Sequence, residues 1–304
     1  MVLLLARSAV LSLAIGLSAL PPIHAGAADE RAPRLLHQTT YAIVMGDIQA
    51  QELAARVGME IDAAAPRIAT LVGTDDLRPV QAYVYRDRDA FRQAVGIPRE
   101  STVVGLATLP SGVIHIDGTG LLASIQRVVP HEVGHVMISR AVGPGLPQLP
   151  LWLNEGIAEY VAGQRAAQVD PVALRAVGRG AALGLADLDP AFRRRDADTA
   201  LAYAQSASLV NFLVAERGER VIADLLAALR ESRNFDSALQ QATGFTPPEL
   251  ESAWRSSVAR RWRWPLFLRS GAWVLILMVV LFFVGLVRYL RERRRRQEMP
   301  EQDW

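Results

Sequence analysis

Apolar positions alternate in short runs over the first third of the chain and fall at helical spacing over most of the rest. Residues 37–44 read as a strand. Behind Asp47, a residue suited to capping a helix, Leu53, Val57, Ile61, Ile68 and Leu71 share one helical face. Pro66 lies inside that run and is expected to bend it. Residues 81–85 are rich in β-formers, and residues 89–95 predict a short helix. Two more strands, 102–108 and 113–117, are joined by Leu109-Pro110-Ser111-Gly112, a hairpin turn. These pieces make a small mixed β-sheet with helices on one side. After Gly163 the pattern is almost wholly helical, over 171–177, 199–216, 219–232, 235–242 and 247–263, with Gly218, Gly244 and Pro247 as punctuation. Arg193-Arg194-Arg195 falls in the loop before Thr199 and reads as a solvated surface. The expected fold class is α+β, a small mixed β-sheet with helices followed by an all-helical half.

Two apolar runs stand outside this pattern. Residues 1–27 carry Arg7, an apolar stretch from 9 to 20, and the small-residue exit Ala25-Gly26-Ala27, as a cleaved secretory signal does. Residues 271–287 are uncharged and apolar, about 25 Å long as a helix, with Arg269 and Arg288 at the ends. Trp262, Trp264 and Trp273 on one flank and Tyr289 on the other resemble interfacial belts. This predicts one C-terminal transmembrane helix. The six Arg between 288 and 296 would place the C-terminus in the cytoplasm. The chain then divides into a signal peptide (1–27), a folded domain (28–264), a membrane helix with its flanks (265–290) and an Arg-rich tail (291–304). The expected location is a bacterial-type cell membrane, single-pass, with the domain extracytoplasmic and the lipid bilayer as a partner.

Charge and cysteine content narrow the function classes. Thirty-three basic against 31 acidic residues leave a formal net charge of +2, which does not suggest a nucleic-acid surface. All the basic residues are Arg. With no Cys the chain forms no disulfide and cannot build the Cys-bearing type of structural zinc site.

The chemistry concentrates in His131-Glu132-Val133-Gly134-His135 and in Trp152-Leu153-Asn154-Glu155-Gly156-Ile157-Ala158-Glu159-Tyr160. On a helix, residues four apart lie on one face, so His131 and His135 can offer two imidazoles to one ion. Glu132 then reaches the rim, where a general base belongs, and an open coordination position admits water. Two His leave a zinc ion under-coordinated, and Glu155 can supply the carboxylate. Glu159, one turn further on, can accept the free ring N–H of His131 and fix its tautomer. Both acids sit in a mostly apolar run, where a carboxylate needs a partner. His115 alternates with Ile114 and Ile116 on the polar face of a strand; it reads as an ordinary strand histidine, with a substrate contact as the rival role.

This motif pair resembles the gluzincin zinc metallopeptidases, the clan of thermolysin and the zinc aminopeptidases, and the small bacterial peptidase-MA-like domains. The likeness extends over about residues 35–260, with Tyr203-Ala204-Gln205-Ser206-Ala207-Ser208-Leu209-Val210-Asn211-Phe212-Leu213 as its downstream part. It implies a thermolysin-like zincin fold and one Zn2+ on His131, His135 and Glu155. It further implies hydrolysis of a peptide or protein substrate with Glu132 as general base, and Tyr203 as a donor to the developing oxyanion. A catalytically silent binding or scaffold module of the same fold is the alternative. Aminopeptidases of the clan carry a Gly-Ala-Met-Glu-Asn strand that reads the free amino terminus. Here Gly112-Val113-Ile114-His115-Ile116-Asp117 stands in its place without that Glu, which favours an endopeptidase. Pro130, directly before His131, is expected to bend or restart the metal-bearing helix.

Overall fold

The computed structural model describes residues 33–99, 101–119, 125–163, 171–194, 197–269 and 272–297. The expected signal at 1–27 and the end of the expected tail from 298 onward lie outside them.

Five strands form one sheet in the order β1-β2-β3-β5-β4. They are β1 (Arg34–Gln38), β2 (Ala42–Gly46), β3 (Val80–Tyr85), β4 (Gly105–Thr108) and β5 (Val113–Asp117). β1 and β2 form an antiparallel hairpin where the sequence reads as one strand over 37–44; Thr39 N donates to Ala42 O and closes the turn. β2, β3 and β5 are parallel, and β4 runs antiparallel to β5 at the sheet edge. The sheet is therefore mixed, as expected.

Alternation divides the sheet into two faces. Val44, Ala82, Val84, Ile114 and Ile116 are buried against α1 (Gln51–Val72) and α3 (Ile125–Val142). The opposite face carries Tyr83, Tyr85 and His115, and the short α2 (Arg88–Val95) covers it by setting Phe91 edge-on to Tyr85. Helices thus lie on both faces, not one. Asp47 caps a 3-10 turn, Ile48–Ala50, which leads into α1. Neither internal proline ends its helix. Pro66 lies within the 22 residues of α1, and Pro130 in the second turn of α3, where its ring removes one backbone bond of the helix ladder.

The second half is helical: α4 (Leu151–Val161), α5 (Pro171–Gly178), α6 (Leu185–Arg194), α7 (Ala197–Arg217), α8 (Arg220–Ser232), α9 (Phe235–Thr243), α10 (Pro247–Arg269) and α11 (Ala272–Gln297). Every residue of α4 except Leu151 is buried, because it is apolar nearly all round and wedged between α3 and α7. Gly156 permits that approach, since a Cβ there would stand 2.6 Å from the Ser206 carbonyl oxygen of α7. The sequence does not announce α6, and the first two of the three consecutive arginines close it instead of lying in a loop.

α6 organises the start of α4. Pro150 cannot cap with a side chain, and Asp189 of α6 does so from 37 residues away, Oδ1 accepting from Trp152 N at 2.8 Å and Oδ2 from Leu151 N at 3.0 Å. Glu251 of α10 in turn accepts from Leu185 N at 2.8 Å. Asp189→Ala is expected to cost about 1–2 kcal/mol of stability, as loss of a helix cap does, measured by denaturant unfolding.

The expected transmembrane helix is not upheld. Among the described residues no helix is long and apolar enough to cross a membrane. α11 starts at Ala272 and becomes Arg-rich from Arg288. Its uncharged part is about 24 Å long at ~1.5 Å per residue, short of a hydrocarbon core of about 30 Å. The single-pass membrane location drawn from the sequence falls with it.

Candidate metal centre

α3 and α4 carry the site because each turns a short polar stripe toward the other. His131, Glu132 and His135 on α3 and Asn154, Glu155 and Glu159 on α4 are all buried, in an interior made largely of apolar side chains. The Nε2 atoms of His131 and His135 lie 3.2 Å apart. Glu155 Oε2 lies 3.5 Å from the first and 3.7 Å from the second. A tetrahedral ion with bonds of 2.0–2.2 Å would hold its donors roughly 3.3–3.6 Å apart. The triangle therefore has the size of one small cation's donor face.

Two further observations fit a metal. Neither oxygen of Glu155 has a hydrogen-bond partner, although the residue is fully buried. His135 Nδ1 lies 3.0 Å from Asn154 Oδ1; with Nδ1–H donating there, the Nε2 lone pair faces the cluster. Electrostatics agree. Burial and then the neighbouring Glu132 and Glu159 push the Glu155 carboxyl well above its usual range. Burial, seconded by Arg127 for His131 and by the mutual imidazole contact for His135, lowers both histidines to about 3. Two neutral imidazoles and a carboxylate whose charge is disfavoured form a donor set that a divalent cation would relieve.

Glu159 lies close to His131 but not in hydrogen-bond contact, with 3.7 Å between Oε1 and Nδ1. Its other oxygen accepts from Arg127 Nη2 at 2.9 Å. Glu132 is fully buried beside β4. Tyr203 is on α7, the helix packed along α4, with its ring edge-on to Phe192 of α6 at 4.8 Å between centroids. The metal cluster itself comprises His131, His135 and Glu155. Asn154 and Arg127 join its surroundings without having been singled out in the sequence. Their signals were slight: an amide directly before Glu155, and an Arg one turn before His131.

His115 is not brought to the cluster. It stands on the other face of the sheet, stacked between Tyr83 and Tyr85, with Nδ1 2.9 Å from the Tyr85 hydroxyl. Burial lowers its pKa to about 4. The stability tied to its neutral form is complete above the ordinary histidine value of about 6.5 and is lost as the pH falls through about 4. Its ring resonances are expected to titrate near that lower value in an NMR experiment; a midpoint near 6.5 would contradict this packing. A separate groove of about 1120 Å³, lined by Arg67, Gln126, Pro130, Tyr160 and Glu219 among others, runs along α1 and excludes the three cluster residues.

The family profile of the peptidase MA superfamily matches residues 61–260, a span that contains both motifs and most of the fold. The chain belongs to that superfamily. Membership suggests a metallopeptidase-like protein, of a group that is usually metal-dependent. Comparison with curated proteins found no match.

Proposed function

We propose that the chain is a zinc-dependent peptidase that cleaves within polypeptides. The observation that carries this reading is the buried His131–His135–Glu155 triangle beside a buried Glu132. The nitrogen, nitrogen, oxygen donor set suits zinc, and three protein ligands are the number a catalytic zinc site uses. When bound, the ion supplies Lewis acidity for water and for the scissile carbonyl. Glu132 accepts a proton from the attacking water and returns it to the leaving amine. Asn154 holds His135 in the tautomer that presents Nε2, and Arg127 holds Glu159 near His131 Nδ1.

β4 is the strand beside Glu132, and it pairs only with β5 among the described residues. Asp117 N donates to Val104 O, so in the antiparallel alternation Leu106 and Thr108 turn their backbone groups to β5. Gly105 and Ala107 turn theirs away from β5, and both residues are buried. The sequence of β4, Gly105-Leu106-Ala107-Thr108, offers no acid to read a free amino terminus, which supports internal cleavage.

The test is hydrolysis of a mixed peptide library by the purified chain, with the new ends identified by mass spectrometry. Activity that vanishes on chelation and returns with zinc is the expected result. Bound zinc without any cleavage would leave a binding module instead. The Tyr203 hydroxyl is the proposed donor to the oxyanion. Tyr203→Phe is expected to lower turnover about a hundredfold with zinc content and folding unchanged. An unaltered rate removes Tyr203 from the mechanism.

A further inference from the structure

Glu132 stands against a strand residue that has no side chain. Gly105 opens β4 facing α3, and a Cβ built on it would lie 2.8 Å from Glu132 Oε1, 3.1 Å from Glu132 Cγ and 2.7 Å from Val128 Cγ1. Backbone conformation does not require glycine here, for Gly105 is not among the residues of positive φ. Space does. The surroundings also resist adjustment. Glu132 is 0% exposed and Val128 1%, so neither can turn out to solvent. The strand is held in register by the pairing of Gly105 with Ile116 and by the adjoining bond from Asp117 N to Val104 O.

We propose that Gly105 is a positioning residue for the Glu132 carboxylate, leaving by its missing Cβ the room in which that carboxylate lies between β4 and the metal cluster. The idea rests on Glu132 as general base. It separates proton transfer from metal binding, because the metal-cluster residues meet one another across α3 and α4, while the atoms nearest a Cβ at 105 belong to Val128 and Glu132. A methyl group at 105 therefore meets the base and Val128 first. It also adds no group to the β4 backbone that faces away from β5.

The experiment compares four full-length chains: wild type, Gly105→Ala, Val128→Ala and the double variant. Each is assayed for bound zinc, thermal midpoint, and kcat and KM on a peptide cleaved by the wild type, and the crystal structure of Gly105→Ala is solved. A displacement of about 1 Å at a reacting group costs on the order of a hundredfold in rate. Gly105→Ala is accordingly expected to keep its zinc, to keep KM within about twofold, and to lose about a hundredfold in kcat, with the Glu132 carboxylate visibly moved. Val128→Ala removes the other overlap. In the double variant the thermal midpoint should recover while kcat stays low. Recovery of kcat together with stability would overturn the proposal, since the loss would then have come from Val128 packing. An unmoved carboxylate in the Gly105→Ala structure would overturn it as well. If the zinc-loaded wild type cleaves no peptide, the general-base reading fails, and the displacement in that structure still decides whether Gly105 places the carboxylate.

Discussion

Glu132→Gln is expected to bind zinc as the wild type does and to hydrolyse peptides about 10²–10⁴-fold more slowly, the range that a positioned general base contributes. Gln keeps the length and nearly the shape of the side chain, so its packing against Val128 and Gly105 should survive. What it removes is basicity. Glu132 is not one of the three cluster residues, which is why zinc content should not change. Replacement of one buried anion near Glu155 and Glu159 by a neutral amide lessens repulsion among the carboxylates, so the thermal midpoint should hold or rise. Turnover, zinc content and thermal midpoint measured on the same preparation check this. A rate within about threefold of wild type would remove Glu132 as base. Loss of zinc along with the rate would instead make it a ligand.

The core of this site was readable because its information is local. Two histidines four positions apart share one face of any helix, and an Asn-Glu pair in an apolar run marks a buried acid that needs a partner. What could not be read depends on contacts distant in sequence. The Asp189 cap on α4 spans 37 residues, and Pro190 and the arginines near it disguise α6 as a loop. His115 kept its place on the polar face of a strand. Which layer covered that face was decided by α2 and Phe91, and so the alternation alone could not bring His115 to the metal or keep it away. Pro130 misleads in another way. Within the second turn of α3 it costs one backbone bond, and tight burial among Val128, Val129 and Val133 holds the helix through it. The apolar run near the C-terminus is real as a helix, but its uncharged length stops short of a bilayer's core.

Removing the metal should reverse the order of stability between the wild type and Glu155→Gln. With zinc at about a thousand times its dissociation constant, binding adds about 4 kcal/mol to the wild-type chain. For a domain of this size that is roughly 8–16 °C in thermal midpoint. Glu155→Gln forfeits a ligand and most of that increment. Without metal the comparison changes sign. The wild type must then bury Glu155 with no hydrogen bond to either oxygen and with Glu132 and Glu159 nearby, whereas Gln buries an uncharged group of the same size. The pH dependence follows from the raised carboxyl pKa. In the metal-free folded state Glu155 holds its proton to higher pH than in the unfolded chain, so the associated stability is complete below about 4.5 and is lost as the pH rises through the folded value. Metal-free wild type should therefore weaken toward neutral pH, while metal-free Glu155→Gln lacks that slope. Scanning calorimetry of both chains, with zinc and with chelator, at acidic and neutral pH, measures all of it. If chelated wild type is as stable as zinc-loaded wild type, or exceeds chelated Glu155→Gln at neutral pH, then the triangle of His131, His135 and Glu155 is not a metal centre.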